Sequence, residues 1–199
     1  MPATDSSKIR NVAVVGHRGA GKTSLVEALL FQGGATNRLG SVEQSSTVAD
    51  WDEDEQKRQM SLSASLCHVE WQDRKINLID TPGDPGFQAD TIAALRVVEG
   101  ALFVLNGVAG VEVQTTRLWD RCEGLGLSRL LFVNMLDRER ADFFGTLEQI
   151  REQHSSSCFA IQIPIGQEHE LKGVVDLLHM RAYMSPEGER EGQPVDIPG

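Results

Sequence analysis

An octapeptide near the N-terminus, Gly16-His17-Arg18-Gly19-Ala20-Gly21-Lys22-Thr23, constrains this chain more than any other stretch. It has the form G-x-x-x-x-G-K-[ST]. The apolar run Val12–Val15 precedes it, and a helix-like segment from Ser24 to Phe31 follows. Strand, glycine loop and helix in that order set a row of backbone N–H groups where nucleotide phosphates can lie. A Cβ at Gly16 or Gly21 is expected to block that approach. The helix adds its unpaired N-terminal N–H groups and the positive end of its dipole. Lys22 then carries a flexible cation to the β- and γ-phosphates, and the Thr23 hydroxyl suits Mg²⁺.

The rest of the chain alternates strand-like and helix-like runs. Strands are predicted at Asn11–Gly16, Ser63–Trp71, Lys75–Asp80, Ala101–Asn106 and Leu130–Asn134. Helices are predicted at about Lys22–Gln32, Gln88–Val98, Val113–Leu125 and Glu139–His154. In the first helix Leu25, Ala28 and Leu29 share a face. Valine-rich runs suit strands buried on both sides, so the expected fold is α/β: a P-loop three-layer α/β/α sandwich on a mostly parallel sheet. The polar stretch from Gly33 to Ser61 is long for a loop, which marks it as functional or disordered. Its acidic run, Asp50-Trp51-Asp52-Glu53-Asp54-Glu55, reads as a solvated face. Beyond Cys158 the texture changes: Phe159–Ile165 is strand-like, Lys172–Tyr183 is mixed, and Pro186–Gly199 is rich in Gly, Pro and charge.

With 199 residues, 40% of them hydrophobic, the chain can bury one substantial core. Cys67, Cys122 and Cys158 are far apart and show neither zinc nor disulfide spacing, which fits a reduced, cytoplasmic setting. No apolar stretch has membrane length. A net charge of −10 argues against broad nonspecific nucleic-acid binding by this stretch, and no direct sequence-specific nucleic-acid binding is expected of it. The three tryptophans, Trp51, Trp71 and Trp119, read as packing residues.

Two further motifs end apolar strands. Asp80-Thr81-Pro82-Gly83 places a carboxylate where it can hold Mg²⁺ and an N–H, that of Gly83, where it can meet a γ-phosphate. Asn134-Met135-Leu136-Asp137 has the spacing of N-K-x-D, whose carboxylate takes two N–H donors of guanine. Met135 stands at the Lys position. Asn134 and Asp137 argue against an ATPase or kinase.

These residues together resemble the translational GTPases of the elongation factor G type, in a divergent branch. The matching stretches are IRNVAVVGHRGAGKT from Ile9, TVADWDEDEQKRQMSLSAS, LIDTPGDPGF, GVAGVEVQTTRLW and FVNMLDRERADFF. The stretch IPIGQEHELKGVVDLLHMRAYM resembles the start of the subdomain inserted into that G domain. The resemblance implies a G-domain core over residues 1–157, without its last strand and helix, and the beginning of the insertion over 158–199. It implies a GTPase that turns GTP into GDP and phosphate with Mg²⁺ and drives a switch on the ribosome. Nucleotide contacts fall to Gly16, His17, Arg18, Gly19, Ala20, Gly21, Lys22, Thr23, Ser24, Asp80, Gly83, Asn134, Met135 and Asp137. Thr23, Ser61 and Asp80 take the metal, Ser61 as the first-switch hydroxyl with Thr47 as a competitor. Asp84, Lys22 and Gly83 take the catalytic work.

Three departures qualify this. The family reads D-T-P-G-H, and Asp84 stands where its histidine positions water, so hydrolysis is expected to be slow or partner-dependent. Gly19 replaces a common aspartate, and Met135 weakens the grip on guanine. A regulatory nucleotide-binding module with little catalysis is the alternative. The guanine-reading loop that follows the insertion is not in the sequence, nor is the family's sixth strand, which covers the fifth, so Leu130–Asn134 is expected as an exposed sheet edge.

Overall fold

The computed structural model describes residues 5–184 and 192–197. It divides into two compact units, Met1–Leu105 with Val113–Phe132, and Asn106–Glu112 with Val133–Gly199. The fold is α/β, as expected. Strands β1 (Ile9–Val15), β2 (Ser65–Trp71), β3 (Arg74–Asp80), β4 (Gly100–Asn106) and β5 (Ser128–Asn134) form one sheet in the order β2-β3-β1-β4-β5. β1 runs parallel to β3, pairing Val14 with Asp80, and parallel to β4, pairing Val14 with Leu102. β2 is antiparallel to β3 and sets Ser65 opposite Asp80. Gln72 and Asp73, both at positive φ, make the tight turn between them. β5 closes the sheet order, with Leu130 and Phe132 exposed.

In the first unit, Val14 and Val104 from the middle strands meet Val26 and Leu30 of helix α1 (Lys22–Gln32), with Cys67, Val69 and Leu78 beside them. The inward face of α1 is not the one the apolar spacing suggests. Lys22, Thr23, Val26, Glu27 and Leu30 are buried, while Leu29 is exposed. The helix must turn its polar first turn and Glu27 toward the phosphate loop and the following segment, and that outweighs burial of Leu29.

The acidic run, expected as a solvated face, is one only in part: Glu53 and Asp54 are exposed, whereas Asp50 and Glu55 are buried. Asp52 accepts from Asp54 N at 2.8 Å and Glu55 accepts from Asp52 N at 3.4 Å, a capping box that starts helix α2 (Glu53–Arg58). Helix α3 (Gln88–Ala94) ends four residues before the expected Val98. Its last N–H groups, from Arg96 and Val97, tighten to carbonyls three residues back. In helix α4 (Val113–Gly124) Trp119 packs on Phe103, ring centroids 5.8 Å apart, with Arg129 over its face at 4.4 Å. Trp51 and Trp71 are exposed, contrary to a packing role.

In the second unit helix α5 (Phe143–Gln153) starts later than Glu139, because Asp142 caps it through Gly145 N at 2.9 Å. Strands β6 (Gln162–Ile165), β7 (Gly173–Asp176), β8 (Arg181–Met184) and β9 (Gln193–Val195) form a separate antiparallel sheet in sequence order. Residues 185–191 and 198–199, part of the Gly/Pro-rich tail, lie outside the described residues. Among the described residues no helix is long and apolar enough to cross a membrane.

Candidate functional site

Gly16 ends β1 at φ +148°, and a Cβ there would run into the Val104 carbonyl of β4. The neighbouring strand therefore by itself restricts this position to glycine, beside the ligand clearance expected from the sequence. Gly21, at φ +91°, turns the chain into α1. Between them His17 Nδ1 contacts Arg18 O at 2.8 Å, Gly19 sits at φ +77°, Ala20 is buried, and Ser24 follows on the exposed side of α1. Lys22 is buried and donates to the His17 carbonyl at 3.1 Å, so its ammonium spans the loop. Burial holds its pKa below the ordinary lysine value, against the pull of Asp80 and Asp50.

Below the lysine lies a cluster of oxygens. Thr23 Oγ1 donates to Asp80 Oδ2 at 2.7 Å, and Ser61 Oγ donates to Asp50 Oδ1 at 2.7 Å. The two hydroxyl oxygens are 3.1 Å apart. With each proton directed to a carboxylate, their lone pairs face one another. Asp80 Oδ1 is buried and has no hydrogen-bond partner among the described residues. Burial pushes Asp80 up to about 7, opposed by the Thr23 hydroxyl and Lys22 and reinforced by Asp50. Asp50 is raised too, by burial first, then by Glu55 and Glu27, against its bond from Ser61. Two carboxylates and two hydroxyls, short of positive charge and with one acceptor unused, fit Mg²⁺.

Two buried glutamates frame that cluster. Glu27 Oε1 accepts from Val48 N at 2.7 Å and Ala49 N at 3.1 Å. Glu55 Oε1 accepts from Leu62 N at 2.9 Å and Ser63 N at 3.1 Å. They fix the backbone on either side of Asp50 and Ser61. Ser61, and not Thr47, meets Thr23.

The segment after β3 closes over the loop. Thr81 Oγ1 donates to the Val14 carbonyl at 2.7 Å and Thr91 Oγ1 to the Pro82 carbonyl at 3.1 Å. Gly83 lies so near that a Cβ would strike Lys22 Nζ and sit 2.7 Å from Arg18 N. Asp84 Oδ1 accepts from Gly86 N at 2.8 Å, and its Oδ2 is 3.6 Å from Arg18 Nη1.

In the second unit Asn134 closes β5, its carbonyl accepting from Gly107 N at 2.8 Å. Met135 takes a left-handed φ of +60°, and its carbonyl accepts from Arg138 N at 3.2 Å. Asp137 is exposed on the turn that follows.

The profile of the elongation factor Tu GTP binding domain matches residues 7–187. The chain belongs to that family. It is 36% identical over 189 residues to elongation factor G of Granulibacter bethesdensis, covering 95% of this chain and 27% of that protein. A crystal structure from Thermus thermophilus matches with a TM-score of 0.89 at 32% identity, covering 97% of this chain and 29% of that one. The chain spans between a quarter and a third of the length of these relatives. It is an elongation factor G-like GTP-binding domain.

Within this GTP-binding domain, Glu27, Asp50 and Glu55 are the residues that sequence reading passed over. The D-x-x-E spacing of Asp52 and Glu55 was a usable helix signal. Glu27 and Asp50 carried no local signal, because their partners are backbone groups and a serine distant in sequence.

Proposed function

We propose that this domain binds GTP and hydrolyses it to GDP and phosphate, as the switch of a longer elongation factor G-like protein that works on the ribosome in the cytoplasm. The convergence of Thr23, Ser61, Asp80 and Asp50 oxygens beside the buried Lys22 carries the reading. Thr23, Ser61 and Asp80 would hold Mg²⁺, with Asp50 behind Ser61, and the ion would neutralise charge on the β- and γ-phosphate oxygens. Lys22 reaches the same phosphates along the loop, and the Gly83 N–H reports the terminal one. Asn134 and Asp137 select guanine, with Met135 against the base. Residues 1–157 supply the G-domain core and 158–199 open the inserted subdomain.

Asp84 orients the attacking water in place of the usual histidine. It carries charge of the same sign as the substrate, so the rate is low unless a partner assists. Single-turnover hydrolysis with ribosomes tests this. Asp84→His is expected to be faster by at least about tenfold; a wild-type rate equal to the variant's sinks the assignment. A second reading, a nucleotide-responsive module with little turnover, is favoured by one observation: both Asp84 oxygens already have partners, Gly86 N and Arg18. Absence of ribosome-stimulated turnover in both proteins would decide for it.

A further inference from the structure

Arg18 sits on the outer side of the phosphate loop, its side chain 57% exposed, and faces an Asp84 carboxylate that is 29% exposed. The 3.6 Å approach of Nη1 to Oδ2 resembles an ordinary surface pair, which contributes little. Its setting is different. Asp84 cannot swing freely, because Oδ1 is tied to Gly86 N at the head of the turn Pro85–Phe87. The Arg18 backbone is fixed against Gly83, where a Cβ would stand 2.7 Å from Arg18 N and 2.8 Å from its Cα, so the root of the arginine side chain is held beside Asp84. The pair joins two segments already in backbone contact, at the side of the loop where Gly83 and Lys22 Nζ also meet.

A carboxylate in that place repels a polyanionic ligand. A guanidinium beside it offsets part of that repulsion. We propose that Arg18 is a positioning residue for Asp84: it balances the carboxylate and holds it against the phosphate loop, so that the terminal phosphate of a nucleoside triphosphate is accepted next to an acidic side chain. The inference rests on the reading of this site as a GTP site. It assigns to Arg18 an action through Asp84, distinct from a direct phosphate contact.

The test is a double-mutant cycle on the full chain: wild type, Arg18→Ala, Asp84→Asn and both together, with Arg18→Lys as the conservative variant. Affinities for GDP and for a non-hydrolysable GTP analogue are measured by fluorescence titration. Arg18→Ala alone should lower the analogue-to-GDP affinity ratio about threefold, a coupling of the size seen for partly exposed charge pairs. In the Asp84→Asn background the same change should leave the ratio nearly constant, and Arg18→Lys should recover most of the loss. An equal loss in both backgrounds overturns the proposal and makes Arg18 a plain phosphate ligand. No loss in either also overturns it and leaves only a surface ion pair. Turnover is measured separately, so a chain that binds GTP without hydrolysing it sinks the GTPase reading while the cycle still reports on Arg18.

Discussion

The Ser61 hydroxyl joins Asp50 to Thr23: it donates to Asp50 Oδ1 at 2.7 Å while lying 3.1 Å from Thr23 Oγ1. Asp50 therefore acts on the proposed metal position through Ser61. Asp50→Asn should raise the Mg²⁺ concentration needed to slow release of labelled GDP by about tenfold, the usual scale for a residue behind a metal ligand. An unchanged Mg²⁺ dependence would remove Asp50 from the site.

Glu55 is a different case, since its carboxylate serves the protein's own backbone. Glu55→Ala strips an acceptor from Leu62 N and Ser63 N. Ser63 is exposed, so water can replace the acceptor there; the half-buried Leu62 N–H carries the cost, about 1 kcal/mol, and the thermal midpoint should fall by a few degrees. Glu55→Gln, which keeps a carbonyl oxygen, should fall less. Calorimetry on the three proteins checks both.

Gly16→Ala meets an obstacle that cannot yield, the Val104 carbonyl in the middle of the sheet. We expect a loss of at least about 2 kcal/mol. At Gly19 an added Cβ meets nothing within 4 Å, though φ is +77°. Gly19→Ala should therefore be the milder of the two. Reversed thermal midpoints would refute the packing argument.

Met135→Lys restores a cation in the segment between Asn134 and Asp137, on a backbone that already accepts a side chain at φ +60°. GDP should bind about threefold tighter or better. Calorimetry showing no gain would count against a role for Met135 beside the base.

Burial pushes the Cys67 and Cys122 thiols up to about 11. A raised thiol pKa leaves only about one molecule in a thousand as thiolate at pH 8. Iodoacetamide at that pH should label the partly exposed Cys158 first, and the other two only after denaturation. Labelling of Cys67 at a similar rate would mean that the sheet opens at β2.

Much of this architecture was legible in the sequence because the signals are local. The loop Gly16–Thr23, the strand that ends at Asp80 and the helix that begins at Lys22 each depend on a few neighbouring residues. The misjudged parts depend on distant partners. Leu29 is exposed because α1 turns Glu27 toward Val48 and Ala49, some twenty positions on. Asp50 is buried because Ser61 and the Glu27 and Glu55 brackets enclose it. No periodicity announces a carboxylate whose donors are main-chain N–H groups. The Trp51 side chain, read as packing, is exposed on the segment that those brackets hold in place.

The β2–β3 hairpin has a consequence for the order in which the site forms. Its register sets Ser65 against Asp80, so the strand that follows the Ser61 segment and the strand that ends at Asp80 are zipped together by a two-residue turn at Gln72–Asp73. Hairpins close in about 1–10 μs. The parallel pairing of Ile9 with Lys75, which brings the phosphate loop alongside, spans a long stretch of chain and waits on slower loop closure. Ser61 and Asp80 are thus brought near one another by the quickest element in the sheet, before Thr23 arrives between them. A substitution that spoils the turn, such as Asp73→Val, should slow refolding more than it weakens the finished domain.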